Sequence, residues 1–137
     1  MRHWLAVAFV LMLLCGSALA RAEHDGNELS GECTMTLHII ETPKYEPTGA
    51  EAIRSEMCVG LVRGVKDTLM MWDTIDSKRN EPKFHGCIPD GVGLVEAIKV
   101  VMKYINDNPA QLHQRDTILI HIALVAGYPC SALGTVN

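Results

Sequence analysis

Residues 87–130 read CIPDGVGLVEAIKVVMKYINDNPAQLHQRDTILIHIALVAGYPC, and the way this stretch divides decides the fold. In its first half Leu94, Val95, Ile98, Val101, Met102 and Ile105 recur at three- and four-residue spacing, the mark of one buried helical face. In its second half Leu112, Leu119, Ile122, Ala123 and Ala126 keep the same period. Between them Asn108 suits an N-cap, Pro109 suits a first helical position whose N–H would lack a partner anyway, and Gln111 stands where a capping box wants its amide. The spacing therefore predicts that one helix stops and the next starts within about three residues, and helices joined so tightly run antiparallel. Cys87 and Cys130 then lie at the same level, which predicts a disulfide across the open end of this hairpin.

The same reasoning extends upstream. Leu29, Cys33, Leu37 and Ile40 step by four, four and three, which predicts a short helix over 28–40 with one buried stripe. Pro43 and Pro47 make residues 41–48 a linker, and Thr48 with Glu51 three residues on is a capping box. A long helix is predicted from there to about Asp76, with Ile53, Met57, Leu61, Val65, Leu69 and Trp72 along one side and Cys58, Val62 and Ile75 beside them. Cys33 lies roughly seven residues before the end of the first helix and Cys58 roughly nine after the start of the second. In an antiparallel pair these positions face each other. Of the three connectivities open to four cysteines, the pattern thus favours Cys33–Cys58 with Cys87–Cys130. The expected fold is all-α: a small four-helix domain of two antiparallel hairpins, each held by a disulfide.

Gly60 and Gly64 sit four apart inside the long helix, and a glycine there costs about 1 kcal/mol relative to alanine. Close approach of another backbone is the usual compensation, either a helix of the same chain or a crossing with a second subunit. Ser77–Gly91 is the longest irregular segment expected, carrying Lys78, Arg79, Glu81, Lys83, His85 and Asp90 around Phe84.

The first 22 residues stand apart from this domain. Arg2 and His3 precede an apolar run from Trp4 to Cys15, followed by small residues and the Ala-x-Ala sites Ala18–Ala20 and Ala20–Ala22. That is the pattern of a cleaved secretory signal peptide, and the run is shorter than the roughly 20 apolar residues of a membrane span. The remaining domain, 23–137, loses Arg2 and Arg21 and no acid, so ten Lys and Arg oppose 16 Asp and Glu, a net charge of −6. Such a surface argues against nucleic acid and anionic membranes and suits a basic protein partner. With Cys15 gone, the four remaining cysteines are an even set in an exported chain, which reads as disulfides. None lies within 24 residues of the next, so zinc-type spacing is absent and no metal or other cofactor is expected.

No catalytic constellation is apparent. His24, His38, His85, His113 and His121 form no His-x-x-x-His or Glu-x-x-His pair, and there is no nucleophile elbow or phosphate loop. Glu51, Glu56, Asp67 and Asp73 are expected to solvate the outer side of the long helix. An enzyme is not expected.

Cys58-Val-Gly60-Leu-Val-Arg-Gly64-Val, Cys87-Ile-Pro89, Asn108-Pro109-Ala-Gln-Leu112-His113 and the closing Gly127-Tyr-Pro129-Cys130 together resemble the Rap/Tai family of type VI secretion amidase immunity proteins. The resemblance covers about residues 48–130. Two positions depart from it: Gly93 stands where a Thr or Ser usually caps the helix, and Met57 and Leu61 flank Cys58 and Gly60 where a Trp or Tyr is usual. The resemblance implies a periplasmic, all-helical protein, often a homodimer, that binds a peptidoglycan-cleaving amidase and blocks its cleft. On that reading Lys78, Arg79, Lys83, Phe84, His85 and Asp90, with Glu96, Lys99 and Lys103 on the exposed side of the next helix, are the partner-binding residues. A reading of a different class is a periplasmic stress chaperone or general envelope-binding module, since small acid chaperones share the helical, disulfide-bonded, acidic character.

Overall fold

The computed structural model describes residues 24–79 and 86–130; the expected signal peptide, and Lys83, Phe84 and His85, lie outside them. The described chain forms four helices, α1 (Gly26–Glu41), α2 (Gly49–Arg79), α3 (Leu94–Asp107) and α4 (Asp116–Gly127), with a short 3-10 turn at Pro109–Gln111. They pair as expected, α1 with α2 and α3 with α4, and both disulfides form as expected. Cys33–Cys58 joins Cα atoms 5.1 Å apart and Cys87–Cys130 joins Cα atoms 4.8 Å apart.

α1 starts two residues earlier than the apolar period suggests because Asp25 caps it, its Oδ1 accepting from the N–H groups of Asn27 (2.8 Å) and Glu28 (3.2 Å). Leu29 and Cys33 are fully buried, but Ile40, placed on the same stripe by the sequence, is half exposed. α2 opens on the capping box in full. Glu51 Oε2 accepts from the Thr48 N–H at 2.8 Å, and the Thr48 hydroxyl accepts from the Glu51 N–H at 3.4 Å. Tyr45 adds a hydrogen bond to Glu51 Oε1 at 2.8 Å while its ring meets the edge of His38, which folds the 42–48 connection back onto both helices.

The buried side of α2 differs from the expected one. Ser55, Cys58, Val62, Leu69 and Asp76 face inward, whereas Ile53, Met57 and Trp72 are exposed. α2 carries apolar residues on most of its sides, so periodicity alone leaves its rotation open. The rotation is set by α1: Cys58 must meet Cys33, and the Thr36 hydroxyl donates to the Ser55 carbonyl. α2 also runs to Arg79, so Ser77, Lys78 and Arg79 are helical instead of loop.

α3 buries Ala97, Ile98, Val101, Met102 and Ile105 as its pattern predicts, but Val95, placed on the same face by the sequence, is exposed and Leu94 only partly buried. Gly93 caps it without a side-chain bond. The start of α4 departs from expectation. Asn108 ends α3, its Nδ2 donating to the Tyr104 carbonyl at 2.9 Å, and α4 begins only at Asp116. The cause lies far away in sequence: the Gly26 N–H is held by the carbonyls of Leu112 (2.9 Å) and Gln114 (3.0 Å), and His24 and Asp25 pair with Arg115 and Asp116. Those carbonyls serve the N-terminal arm and not a helical ladder. In α4 the inward side is Asp116, Leu119, Ile120, Ala123 and Leu124; Ile122 is half buried and Ala126 exposed. The core gathers Leu29, Val62, Ile98, Val101, Leu119, Ile120 and Leu124 from all four helices.

Candidate partner-binding surface

The segment entering α3 is a surface turn held at several points. Cys87 is tied to Cys130, its N–H donates to the Tyr128 carbonyl at 2.8 Å, and the Val92 N–H closes the turn on the Pro89 carbonyl at 3.0 Å. Ile88 and Val92 are buried on either side, while Pro89, Asp90 and Gly91 stand out in solvent. A short exposed turn between two buried apolar anchors and a covalent tether presents its backbone with little freedom left to lose.

The expected contact residues divide among different settings. Lys78 and Arg79 form the exposed last turn of α2, and Asp90 the tip of the anchored turn. Glu96, Lys99 and Lys103 lie along the exposed side of α3, but two of them already have partners. Lys99 Nζ meets Glu41 of α1 at 2.6 Å, and Lys103 Nζ meets Asp107 one turn on at 2.6 Å. Both pairs are exposed, so each contributes little to stability and leaves the lysines available to exchange partners. Glu96 remains beside the Tyr128 phenol, whose pKa is raised by burial first and by the Glu96 carboxylate second.

α3 meets α4 at short range because Gly127 faces Val100. A Cβ at Gly127 would come within 2.5 Å of Val100 Cγ1. A shallow groove of about 160 Å³ runs beside this crossing, lined by Val100, Lys103, Tyr104, Asp107, Ala123 and Ala126. Gly26 has a similar role at the other end of α4, where a Cβ would run into Leu119 Cδ1 and the Leu112 carbonyl. Neither glycine stands out in the sequence. Gly60 and Gly64, which do, have nothing within 4 Å of a would-be Cβ, so packing against a helix of the same chain is not their role among the described residues.

Sequence reasoning also missed an apolar surface on α2. Ile53 is 65% exposed and Met71 52%, and a larger groove of about 440 Å³ opens beside Gly64, Thr68 and Trp72, closed on the α4 side by Thr117 and His121. The signal for it was present: once Cys58 is committed to Cys33, Ile53 and Met57 cannot also face the core.

The histidines occupy separate places. His38 packs on Tyr45, and His113 and His121 are exposed. His24 Nδ1 stands 3.2 Å from Glu28 Oε2 and 3.7 Å from Glu32 Oε1. Glu32 is only 4% exposed, and its Oε2 makes no hydrogen bond among the described residues. Burial pushes its carboxyl up from the usual range, against the pull of His24 and Arg54 and with the push of Glu28 and Asp116. Among the described residues no three His, Cys, Asp or Glu side chains converge on a point that could hold a metal ion, and no helix is long and apolar enough to cross a membrane.

A family model describing Rap1a immunity proteins matches residues 25–130. No curated protein and no solved structure matches the chain. The matched span begins at the residue that caps α1 and ends at the second partner of the Cys87–Cys130 bridge, so it takes in all four helices and both disulfides.

Proposed function

Because the chain belongs to the family of Rap1a immunity proteins, we propose that it is a periplasmic, non-catalytic protein that binds and blocks a peptidoglycan amidase delivered by a type VI secretion system, and that it works as a homodimer. The family match carries this reading. The two disulfides support an oxidising compartment, as does the signal-peptide pattern of residues 1–22. The anchored turn at Pro89–Gly91, with Asp90 at its tip, supports a mechanism in which a rigid projection enters the partner's cleft; Lys78 and Arg79 at the end of α2 and the Glu96, Lys99 and Lys103 side of α3 are further exposed candidates for contact. The fold stiffens that projection before binding, so docking loses less conformational entropy than an unanchored loop would.

The test is co-expression, in the periplasm, with a cell-wall amidase encoded beside this gene. The expected result is a complex that survives purification and cells that no longer lyse. Lysis that continues unchanged, with no complex, would sink the reading.

A further inference from the structure

The two disulfides sit in different surroundings. Cys33 and Cys58 are fully buried between α1 and α2, under side chains that would have to part before a reagent reached either sulfur. Cys87 and Cys130 lie outside the helices, both are partly exposed, and Pro89 and Pro129 near them stand in solvent. A disulfide is cleaved by a thiolate that must first reach a sulfur atom, so access separates an inert bridge from a labile one. A charged group stands at the accessible bridge: Asp73 of α2 places Oδ1 3.8 Å from Cys87 Sγ. That sulfur carries no proton while bridged, so the contact is not a hydrogen bond. It sets a carboxylate where an incoming thiolate would bring a second negative charge.

From this we propose that Cys87–Cys130 is a redox switch opened by a dithiol reductant, that Asp73 slows its opening, and that Cys33–Cys58 is the bridge that stays closed. A thiolate of the reductant attacks one sulfur of the bridge, the S–S bond breaks, and the other sulfur leaves as a thiolate that takes a proton from water. The second thiol of the reductant, deprotonated in turn, attacks its own sulfur in the mixed disulfide and releases the remaining cysteine, which takes a second proton. Two electrons pass to the protein, which ends with two thiols, and the reductant ends as a disulfide. Opening removes the covalent tie between the Pro89–Gly91 turn and the end of α4. The Cys87 N–H still has the Tyr128 carbonyl, Ile88 and Val92 stay buried, and the α1–α2 hairpin remains cross-linked, so the turn loosens while the domain stays folded. The inference rests on the amidase-binding reading for its consequence alone: a loosened turn has more freedom to lose on docking. The selectivity between bridges and the role of Asp73 come from the geometry.

The test exposes the oxidised, signal-free protein, wild type and Asp73→Asn, to dithiothreitol without denaturant, blocks new thiols with iodoacetamide at intervals, and locates the labels by peptide mass. The expected result is labelling of Cys87 and Cys130 while Cys33–Cys58 stays bridged and the helical circular dichroism is unchanged. Asp73→Asn should open Cys87–Cys130 at least about fivefold faster, the effect of one charge at about 4 Å even with the full screening of water. It should leave the rate at Cys33–Cys58 unaltered, which a general loosening of the fold would not. Both bridges opening together, Cys87–Cys130 opening only in denaturant, or an Asp73→Asn protein no faster than wild type would each overturn the inference. Capture of the amidase is then compared between the oxidised protein and the form labelled at Cys87 and Cys130, freed of reductant. Affinity should fall at least about tenfold, the equivalent of 1.4 kcal/mol. Equal capture by both forms overturns the switch and leaves amidase binding standing; no capture by either form, with selective opening observed, fails only the proposed target.

Discussion

The hydroxyl of Thr36, buried in the middle of α1, shares its one proton between the carbonyl of Ser55 on α2 at 3.1 Å and the Glu32 carbonyl of its own helix at 3.0 Å. One turn away Cys33 joins Cys58. A covalent link and a side-chain-to-backbone bond thus define both the separation and the rotation of the first two helices.

Thr36→Val keeps the volume and removes the donor. The loss should cost about 1 kcal/mol, the usual net worth of a buried hydrogen bond. Urea denaturation with the disulfides intact will show a lower midpoint at unchanged m-value.

The bridges close loops of 25 and 43 residues, and loop entropy assigns them about 3.5 and 4 kcal/mol respectively. Cys33→Ala/Cys58→Ala should lower stability while leaving capture of the amidase intact in the fraction that remains folded. Cys87→Ala/Cys130→Ala should lower stability and weaken capture as well, because it releases the Pro89–Gly91 turn. Denaturation curves paired with co-purification separate the two effects.

Gly127→Ala forces a methyl group into Val100, and a β-branched residue in a helix has little rotamer freedom with which to move aside. The expected cost is about 1–3 kcal/mol, the range for overpacking a tight contact. Adding Val100→Ala should recover part of it, so the double-mutant cycle will show a coupling term between the two sites.

Glu32 gives a pH dependence of unusual sign for a carboxylate. Its pKa is raised in the folded protein above the ordinary 4.5, so between the two values the native state binds more protons than the unfolded chain. Its contribution to stability therefore falls as pH rises through that window and stays low above it. Glu32→Gln should be more stable than wild type at neutral pH, and the advantage should shrink as pH drops towards 4.5. Thermal midpoints of both proteins from acid to neutral pH will show whether the curves converge.

Glu51 has the opposite sign, since the N–H and hydroxyl of Thr48 and the phenol of Tyr45 hold its carboxyl below the usual range. Its contribution is present above the unfolded value and is lost on acidification. Thr48→Ala removes the cap and should cost about 1 kcal/mol at neutral pH, read as a fall in unfolding free energy.

The features legible in the chain are those set by near neighbours. The capping box of Thr48 and Glu51 spans one turn, the buried side of α3 follows from its strong two-sided pattern, and short connections place Cys33 beside Cys58 and Cys87 beside Cys130. Lys78, Arg79, Asp90 and Glu96 were identifiable as surface residues because charge and turn chemistry keep them in water. The ion pair that engages Lys99 was not, since Glu41 reaches it only once α1 lies along α3, whereas Lys103 and Asp107 stand four apart on one helix and their pairing is local.

Apart from the two disulfides, whose level follows from the helix pairing, contacts with partners distant in sequence had to await the packed molecule. The start of α4 moved to Asp116 because the N-terminal arm takes the carbonyls of Leu112 and Gln114. Among the glycines, the closest approaches fall to Gly26 and Gly127, with Gly86 close to the Val125 backbone and Gly31 to Arg54, while a Cβ at Gly60 or Gly64 would meet nothing within 4 Å. A glycine's value lies in what comes near it, and that is a property of neighbouring helices. Helix periods, caps and loop lengths were enough to establish two cross-linked hairpins; the rotation of α2, and with it the exposed side bearing Ile53 and Met71, came only when α1 bound Cys58 and Ser55.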